Sequence, residues 1–430
     1  MLSTKSKWLR LGMVMMILAV TISLALLLNT RKALAAAPHN VGLVCTTDAS
    51  SNPTFTLETQ TGYITLSDMN TMFMWGYSMS GGEFQYPGPV LCVNQGQIVT
   101  IVLHNNLPED SSIMFPGQEN VLADGSPAQP QFNGTTLTSL TNVAAANGGS
   151  ITYRFTADHP GTFIYESGTD TRRQVGMGLF GVLIVRPSMG SGYVYNRADS
   201  QFTKNEEFLA ILSEIDPYMH NAAEAGQPFD MNTYHPRYWL LNGRGFPDTI
   251  ADNFASWLPS QPYGALALIQ PYDASVHPFP ALEHFVNVGT EDYPFHPHGQ
   301  NGLVVGRDGH PMEGSAGQDL SMEKFAINIG PGQTWDVLFK WYDAEGYTAN
   351  PSNFPVTIPD IANQTMGMFY SGSPFLGQKG ALLPGQSTLN QCGEYYIISH
   401  NHALFQLDAW GQTMSGPITY LRIDPPGGCP

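Results

Sequence analysis

Short apolar or alternating runs follow one another through most of the chain from about residue 54. Residues 98–104 are β-branched and apolar, residues 151–155 alternate, and residues 180–185 form a continuous apolar run. These are the patterns of half-buried and fully buried strands. No segment combines helical length with helical periodicity. The pattern therefore predicts an all-β protein, most simply two β-sandwiches.

A break in the pattern at residues 187–192, Pro-Ser-Met-Gly-Ser-Gly, marks the best domain boundary. β-Rich sequence resumes near Glu206. We therefore predict a first domain over residues 38–190 and a second over residues 205–430. Residues 343–390 show no periodicity and are rich in Gly, Pro, Asn and Ser, so we predict a long loop insertion there. A loop of this length is uncommon unless it covers something.

The amino terminus resembles a targeting segment. Lys5, Lys7 and Arg10 precede an apolar run over residues 11–28, and Ala-Leu-Ala at residues 33–35 offers a small-x-small cleavage site. We predict a signal peptide at residues 1–35 and a secreted or extracytoplasmic protein. The alternative is an uncleaved anchor, because the run is just long enough to span a bilayer; only then would the protein be held at a membrane.

Four cysteines, Cys45, Cys92, Cys392 and Cys429, remain after cleavage. In an oxidising compartment disulfides are the better interpretation, and we expect two of them, although the sequence leaves all three connectivities open. Charge excludes another class of partner. Lys and Arg total 18 against 35 Asp and Glu, so no basic surface is available to neutralise phosphates, and we expect no nucleic-acid partner.

Two His-x-His motifs carry the strongest chemical signal: His296 with His298, and His400 with His402. On a β-strand, residues i and i+2 point to the same face, so each motif presents two imidazoles side by side. Two such strands brought together offer four nitrogen ligands, which suit copper or zinc better than calcium or magnesium. The alternative is four unrelated histidines, since the chain holds 12.

Several blocks, taken in order, resemble the multicopper oxidase superfamily, whose units are Greek-key β-sandwiches called cupredoxin domains. Tyr-Pro-Phe-His-Pro-His-Gly resembles the superfamily's His-Pro-x-His-x-His-Gly ligand motif, and Ser-His-Asn-His its terminal His-Cys-His. The blocks are residues 87–91, 96–99, 105–108, 161–167, 178–185, 293–299 and 399–402. The resemblance implies two cupredoxin-like domains and a copper cofactor, with zinc as the weaker choice.

Departures from the superfamily pattern are as informative as the matches. Met-Phe-Pro-Gly, beginning at Met114, and Glu-Ser-Gly, beginning at Glu166, stand where the first domain of such oxidases supplies four histidines. Asn401 stands at the cysteine of the type 1 (blue) copper, and Tyr293 and Gln406 at its two histidines. The resemblance thus implies a reduced copper site made of His296, His298, His400 and His402, and no blue copper centre.

Two function classes follow from this ligand set. The first is a secreted copper-dependent oxidoreductase acting on a small molecule or a metal ion, in which Glu166 ligates the metal or relays protons. The second is a non-catalytic copper-binding or cell-surface structural protein, in which Glu166 is an ordinary surface carboxylate. In either class the four histidines are expected to face the first-domain positions Met114 and Glu166, in the same chain or in a second copy of a homo-oligomer.

Other chemical candidates have simpler explanations. The cluster of Met69, Met72, Met74 and Met79 could bind Cu(I), but core filling is the more economical interpretation. The lone histidines His104, His284 and His310 lack a paired neighbour in sequence, and we expect them to be structural.

Overall fold

Strands dominate the computed structural model, which describes residues 40–341 and 395–424. The first half contains β1 (Thr54–Thr65), β2 (Thr71–Met79), β3 (Leu91–Asn94), β4 (Ile98–Asn105), β5 (Leu122–Ala123), β6 (Ser126–Pro127), β7 (Gln131–Asn133), β8 (Thr136–Ser139), β9 (Gly149–Thr156), β10 (Gly161–Glu166) and β11 (Phe180–Arg186).

The second half contains β12 (Glu207–Ile215), β13 (Tyr238–Leu241), β14 (Ala267–Ile269), β15 (Ala281–Asn287), β16 (Tyr293–Pro297), β17 (Gly302–Arg307), β18 (His310–Pro311), β19 (Met322–Lys324), β20 (Ile327–Ile329), β21 (Thr334–Phe339), β22 (Tyr395–Asn401) and β23 (Ile418–Ile423). The strands expected from the apolar runs are therefore present, with bounds that differ by a few residues.

Each half of the chain builds two main sheets. In the first half, a six-stranded sheet has the order β2-β1-β4-β9-β5-β6, and a three-stranded sheet has the order β10-β11-β3. Alternation along β4 buries Val99, Ile101 and Leu103 completely, so this face of the sheet supplies the core between the two layers.

In the second half, a sheet with the path β13-β12-β15-β21-β17-β18 also carries β19, and a five-stranded sheet has the order β14-β23-β22-β16-β20. Phe285, Phe295 and Val337 are among the fully buried residues between them. The five-stranded sheet places β16 directly beside β22, although about a hundred residues separate the two strands in sequence.

A separate apolar cluster joins sheets from the two halves. Val182 and Ile184 of β11 belong to the same buried cluster as Ile211 of β12 and Val286 of β15. Apolar burial at this junction packs the three-stranded sheet of the first half against the sheet of the second half that contains β12 and β15. The all-β expectation is thus confirmed, while the boundary at residues 187–192 stays a prediction.

Two short helices were not expected from the sequence: α1 (Thr171–Met177) and α2 (Pro217–Glu224). Asp216 caps α2, because its side chain accepts hydrogen bonds from the backbone N–H groups of Tyr218 and Met219, at 2.9 and 3.4 Å. Short 3₁₀ turns occupy Ala198–Ser200, Met231–Thr233, Asp248–Ile250 and Leu404–Leu407. Asp followed by Pro was a local signal for α2.

One disulfide joins Cys45 to Cys92, so one of the two expected bridges is confirmed. Cys392 and Cys429 lie outside the described residues, as do the predicted signal peptide and the whole of the loop predicted at 343–390. Within the described ranges, no helix is long and apolar enough to cross a membrane.

Candidate metal site

The two His-x-His motifs meet on adjacent antiparallel strands. His296 of β16 lies opposite His400 of β22, and Phe295 lies opposite Asn401. Phe295 and Asn401 point into the core and are fully buried, so the residues on either side of them point to the other face of the sheet. That face carries all four imidazoles, of which three are half-buried and His402 is exposed.

The four rings lie close to one another. The ring centre of His296 is 4.6 Å from that of His298, 5.8 Å from that of His400 and 5.4 Å from that of His402. The His298 and His400 centres are 5.1 Å apart, and those of His400 and His402 are 5.4 Å apart. The structure therefore brings together every histidine of the two motifs.

Backbone carbonyls fix the tautomers of two rings. Nδ1 of His296 lies 2.6 Å from the carbonyl oxygen of Phe325, and Nδ1 of His400 lies 2.7 Å from that of Asn401. A carbonyl can only accept, so each Nδ1 carries the proton and each Nε2 presents its lone pair. Holding Nδ1 in this way is how proteins orient metal-binding imidazoles. No pattern in the sequence had pointed to Phe325.

Two nitrogens are already spaced like ligands of one ion. Nε2 of His298 and Nε2 of His400 are 3.1 Å apart, and two tetrahedral ligands with metal–nitrogen bonds of about 2.0–2.1 Å would be roughly 3.3 Å apart. Among the described residues, however, no group of three or more His, Cys, Asp or Glu side chains surrounds a single point closely enough to hold a metal ion. The His298–His400 pair is therefore the part of the donor set that the structure places at ligand-like spacing.

Electrostatics keeps the central rings neutral. Burial, with smaller contributions from the neighbouring His296, His400 and His402, lowers the pKa of His298 to about 4. Burial likewise lowers the pKa of His400. Metal ligation requires the unprotonated imidazole, so little proton competition is expected at neutral pH.

An open cavity of about 500 Å³ adjoins the site. His296 lines it together with Gln300, Glu323, Phe325 and Lys340. The exposed Phe325 ring stands edge-on to His296 with ring centres 5.8 Å apart. Solvent and small molecules therefore have a route to one of the candidate ligands.

The positions aligned with the blue copper ligands form a buried hydrogen-bonded network. Asn401 donates to Gln406, and Gln406 donates to Glu291 at 2.7 Å. The Tyr293 hydroxyl donates to Glu214 at 2.5 Å. All three aligned side chains are almost completely buried, so their polar atoms need such partners. The sequence had not suggested Glu214 or Glu291 as those partners.

Met114 and Glu166 lie side by side, since each accepts a backbone hydrogen bond from the other's N–H, at 3.1 and 2.6 Å. The Glu166 carboxylate lines a cavity of about 330 Å³ with Arg172, Glu214 and Tyr234. Burial raises its pKa to about 7. No hydrogen bond within residues 40–341 and 395–424 joins Glu166 to any of the four motif histidines.

The remaining candidates are structural. Met72 and Met74 are buried in the apolar cluster between the two halves, and Met69 is 83% exposed, so these three do not converge. His284 is buried and bonded to two carboxylates, with Nδ1 2.7 Å from Asp336 and Nε2 2.9 Å from Glu207. His310 is exposed on the short strand β18.

Comparison with known proteins adds a family match. A family model described as "Multicopper oxidase" matches residues 71–190. L-ascorbate oxidase of Cucurbita pepo var. melopepo is 30% identical over 175 residues, which is 40% of this chain and 29% of the relative. Laccase abr2 of Aspergillus fumigatus is 30% identical over 178 residues, 37% of this chain and 27% of the relative. The matched segment thus spans less than a third of either relative.

Solved structures show the same fold at lower identity. A multicopper oxidase named mgLAC aligns with a TM-score of 0.57 at 19% identity, covering 86% of each chain. A blue copper oxidase from Nitrosomonas europaea aligns with a TM-score of 0.57 at 16% identity, over 86% of this chain and 85% of the other. The sandwiches described above are therefore cupredoxin-like, as the sequence predicted.

Proposed function

We propose that the chain is a copper-binding oxidoreductase of the multicopper oxidase type with a reduced, four-histidine site, because a multicopper oxidase family model matches residues 71–190 and an L-ascorbate oxidase is 30% identical over 175 residues. His296, His298, His400 and His402 are the proposed ligands. The observation that carries the proposal is the convergence of both motifs on one face of β16 and β22, with two Nε2 atoms 3.1 Å apart.

The residues around the rings have separate tasks in this proposal. The Phe325 and Asn401 carbonyls hold His296 and His400 so that Nε2 is available to the metal. Low pKa values keep His298 and His400 unprotonated. Copper held by imidazoles supplies one-electron redox chemistry, whereas zinc in the same place would act as a Lewis acid or be structural.

The proposal includes the absence of a blue copper centre. Such a centre needs a cysteine thiolate, and the aligned position is Asn401, whose neighbours are Gln406 and, through it, Glu291. These side chains supply oxygen and nitrogen atoms and no thiolate sulfur. Efficient electron delivery from an external phenol to a multinuclear cluster is therefore not expected of this protein.

Glu166 is proposed as a proton-transfer group rather than as a fixed ligand. A pKa near 7 suits a carboxyl that both accepts and releases protons at neutral pH. Since the four histidines do not share its cavity, its action on the copper site requires the histidine face of a second copy. The proposal therefore includes a homo-oligomer. It also includes secretion, which residues 1–35 would direct.

The competing function is a non-catalytic copper-binding or cell-surface structural protein. The two classes differ in whether the metal keeps an open position that a reactant can reach. The cavity beside His296 favours the enzyme, because it leads from solvent to a candidate ligand. A small molecule or a metal ion would be oxidised from that side.

Copper loading tests the proposal. Protein purified from copper-supplemented medium should contain copper by elemental analysis and give an electron paramagnetic resonance spectrum of nitrogen-ligated Cu(II). It should lack the intense visible band of copper–thiolate charge transfer. A strong blue absorption, or oxygen consumption with phenols comparable with that of a laccase, would contradict the assignment. If the protein bound zinc instead of copper, the four-histidine ligand set would be supported, but the assignment as an oxidoreductase would be wrong.

A further inference from the structure

Two adjoining cavities lie away from the histidines, and Trp410 forms the wall between them. The first has a volume of about 370 Å³ and is also lined by Arg237, Phe405 and Asp408. The second has a volume of about 410 Å³ and is also lined by Tyr218. Together they form a groove on the surface, with an aromatic partition at its centre. Neither cavity includes a proposed copper ligand.

The partition is held rigidly at the tip of a tight turn. Ala409 and Gln412 exchange two backbone hydrogen bonds of 3.0 and 2.9 Å, leaving Trp410 and Gly411 as the two central residues, with φ of 50° and 83°. Positive φ at both central positions defines a turn that normally selects Asn or Gly. A tryptophan there costs roughly 1 kcal/mol or more in backbone strain, and such strain commonly accompanies a functional site.

Aromatic side chains flank the partition. Tyr218 and Tyr238 lie with ring centres 5.8 and 6.1 Å from that of Trp410. Trp410 is 48% exposed and Tyr218 is 57% exposed. Large rings left open to water at this density are costly unless a ligand covers them. Tyr and Trp give wide contact area with little loss of side-chain entropy.

Uncommitted hydrogen-bonding groups lie on both sides of these rings. Within the described part of the chain, the side chains of Arg237 and Asp408 in the first cavity have no hydrogen-bond or ion-pair partner, and neither have those of Asn221 and Gln412 in the second. Arg237 only approaches the Trp410 ring, at 5.9 Å. The groove thus offers flat apolar surfaces with free donors and acceptors around them.

We propose that this groove binds a neutral oligosaccharide across Trp410. A pyranose ring has apolar C–H faces that stack on an aromatic ring and an edge of hydroxyls that both donate and accept hydrogen bonds. A small phenol would cover the rings but would use few of the donors and acceptors that the four polar side chains offer around them. Two cavities on either side of one ring call for a ligand of several linked units rather than a single compact one.

The test is titration of the full chain with cellotetraose, xylotetraose and maltotetraose, with binding measured by tryptophan fluorescence and by calorimetry. At least one of them should give saturable binding, and Trp410→Gly should weaken it at least about tenfold. Glycine suits the positive φ, so this variant removes the ring without loss of folding, and its melting temperature should equal or exceed that of the wild type. The exposed Trp257 provides the matched control, Trp257→Ala, with unchanged affinity.

Three results would overturn the proposal. One is no saturable response to any of the tetrasaccharides up to about 10 mM. Another is wild-type affinity in Trp410→Gly. The third is Trp410-dependent binding of hydroquinone that is tighter than that of every sugar, which would make the groove a phenol site. The titration is run on copper-loaded and metal-free protein. Equal affinity in both is expected, so failure of the copper assignment would leave this test intact.

Discussion

Histidine side chains have opposite electrostatic environments in two regions of this molecule. The four motif histidines stand on the outer face of β16 and β22, where their nearest partners are carbonyls and one another. His284 of β15 is buried between the two halves of the chain, and its ring nitrogens contact Asp336 and Glu207. The hydrogen-bond partners of a histidine ring, and not only its spacing in the sequence, determine whether it can bind a metal. Carbonyls leave a lone pair free for a metal, whereas two carboxylates require the imidazolium.

The pKa values of the two regions diverge accordingly. Burial alone would lower the pKa of His284, but hydrogen bonds and charges from Asp336 and Glu207 outweigh it and raise the pKa to about 9. Burial, with smaller contributions from the neighbouring imidazoles, lowers the pKa of His298 to about 4. The half-buried motif histidine His298 is therefore neutral and can bind a metal ion, whereas His284 carries a second ring proton and is itself a cation.

The largest expected effect is loss of copper from the motif region. Replacing His298 and His402 together by Ala should lower copper affinity by at least about 100-fold, because half of the donor set is removed. The melting temperature of the metal-free protein should not fall, since these rings lie outside the core. Elemental analysis after copper loading, with the exposed His310→Ala as control, checks this. Wild-type copper content in the double variant would sink the site.

His284→Ala should show the reverse pattern. Removing the imidazolium leaves Asp336 and Glu207 buried without their counter-charge, although Arg186 still contacts Glu207 at 3.0 Å. Breaking a buried ion pair in this way typically costs about 3–5 kcal/mol. Urea unfolding at pH 7 of metal-free protein measures it, with His104→Ala as control. A cost below 1 kcal/mol, or selective loss of copper, would erase the distinction between the two regions.

The sequence predicted part of this comparison. Period-two spacing placed each pair of motif histidines on one face, and the superfamily resemblance suggested that the two pairs meet. It did not identify Phe325 as the acceptor for His296, nor Glu207 and Asp336 as partners of His284. Those contacts join strands that are far apart in sequence, so no local pattern encodes them. Tyr293, Asn401 and Gln406 were flagged only as departures, and their buried partners Glu214 and Glu291 became visible with the packing.

The pH dependence of stability should also separate the regions. The His284 pKa is raised to about 9, so its contribution is complete below about pH 6.5 and is lost as pH rises through 9. The buried Glu283, whose pKa burial raises to about 8, favours unfolding over part of the same range. The pKa values of Asp336 and Glu207 are lowered, so their contribution is lost only when pH falls into the acid range.

Urea unfolding from pH 6 to pH 9.5 should therefore show a decline in the wild type, of which His284 alone contributes on the order of 3 kcal/mol. His284→Ala should decline less steeply, because only the effects of buried carboxyls such as Glu283, Glu206 and Glu166 remain. The histidine double variant should follow the wild-type curve. Equal slopes in His284→Ala and the wild type would mean that His284 is not charged in the folded protein.

The smallest effect concerns Glu166, which is half-buried and, unlike His284, has no counter-charge among the described residues. Its carboxylate has no hydrogen-bond or ion-pair partner among the described residues, and burial raises its pKa to about 7. A carboxyl whose pKa is raised on folding weakens stability as pH climbs from about 4.5 to 7. Glu166→Gln should therefore stabilise the metal-free protein at pH 8 by about 1–2 kcal/mol and have no effect at pH 4. The exposed Glu119→Gln should change neither value.

If copper is present and a second copy brings its histidines to Glu166, the charged carboxylate gains a cation nearby, and the stabilisation by Gln should shrink or reverse. Thermal unfolding of both variants at both pH values, with and without copper, distinguishes these outcomes. If the stability that Glu166→Gln gains at pH 8 is the same with and without copper, Glu166 takes no part in the copper site.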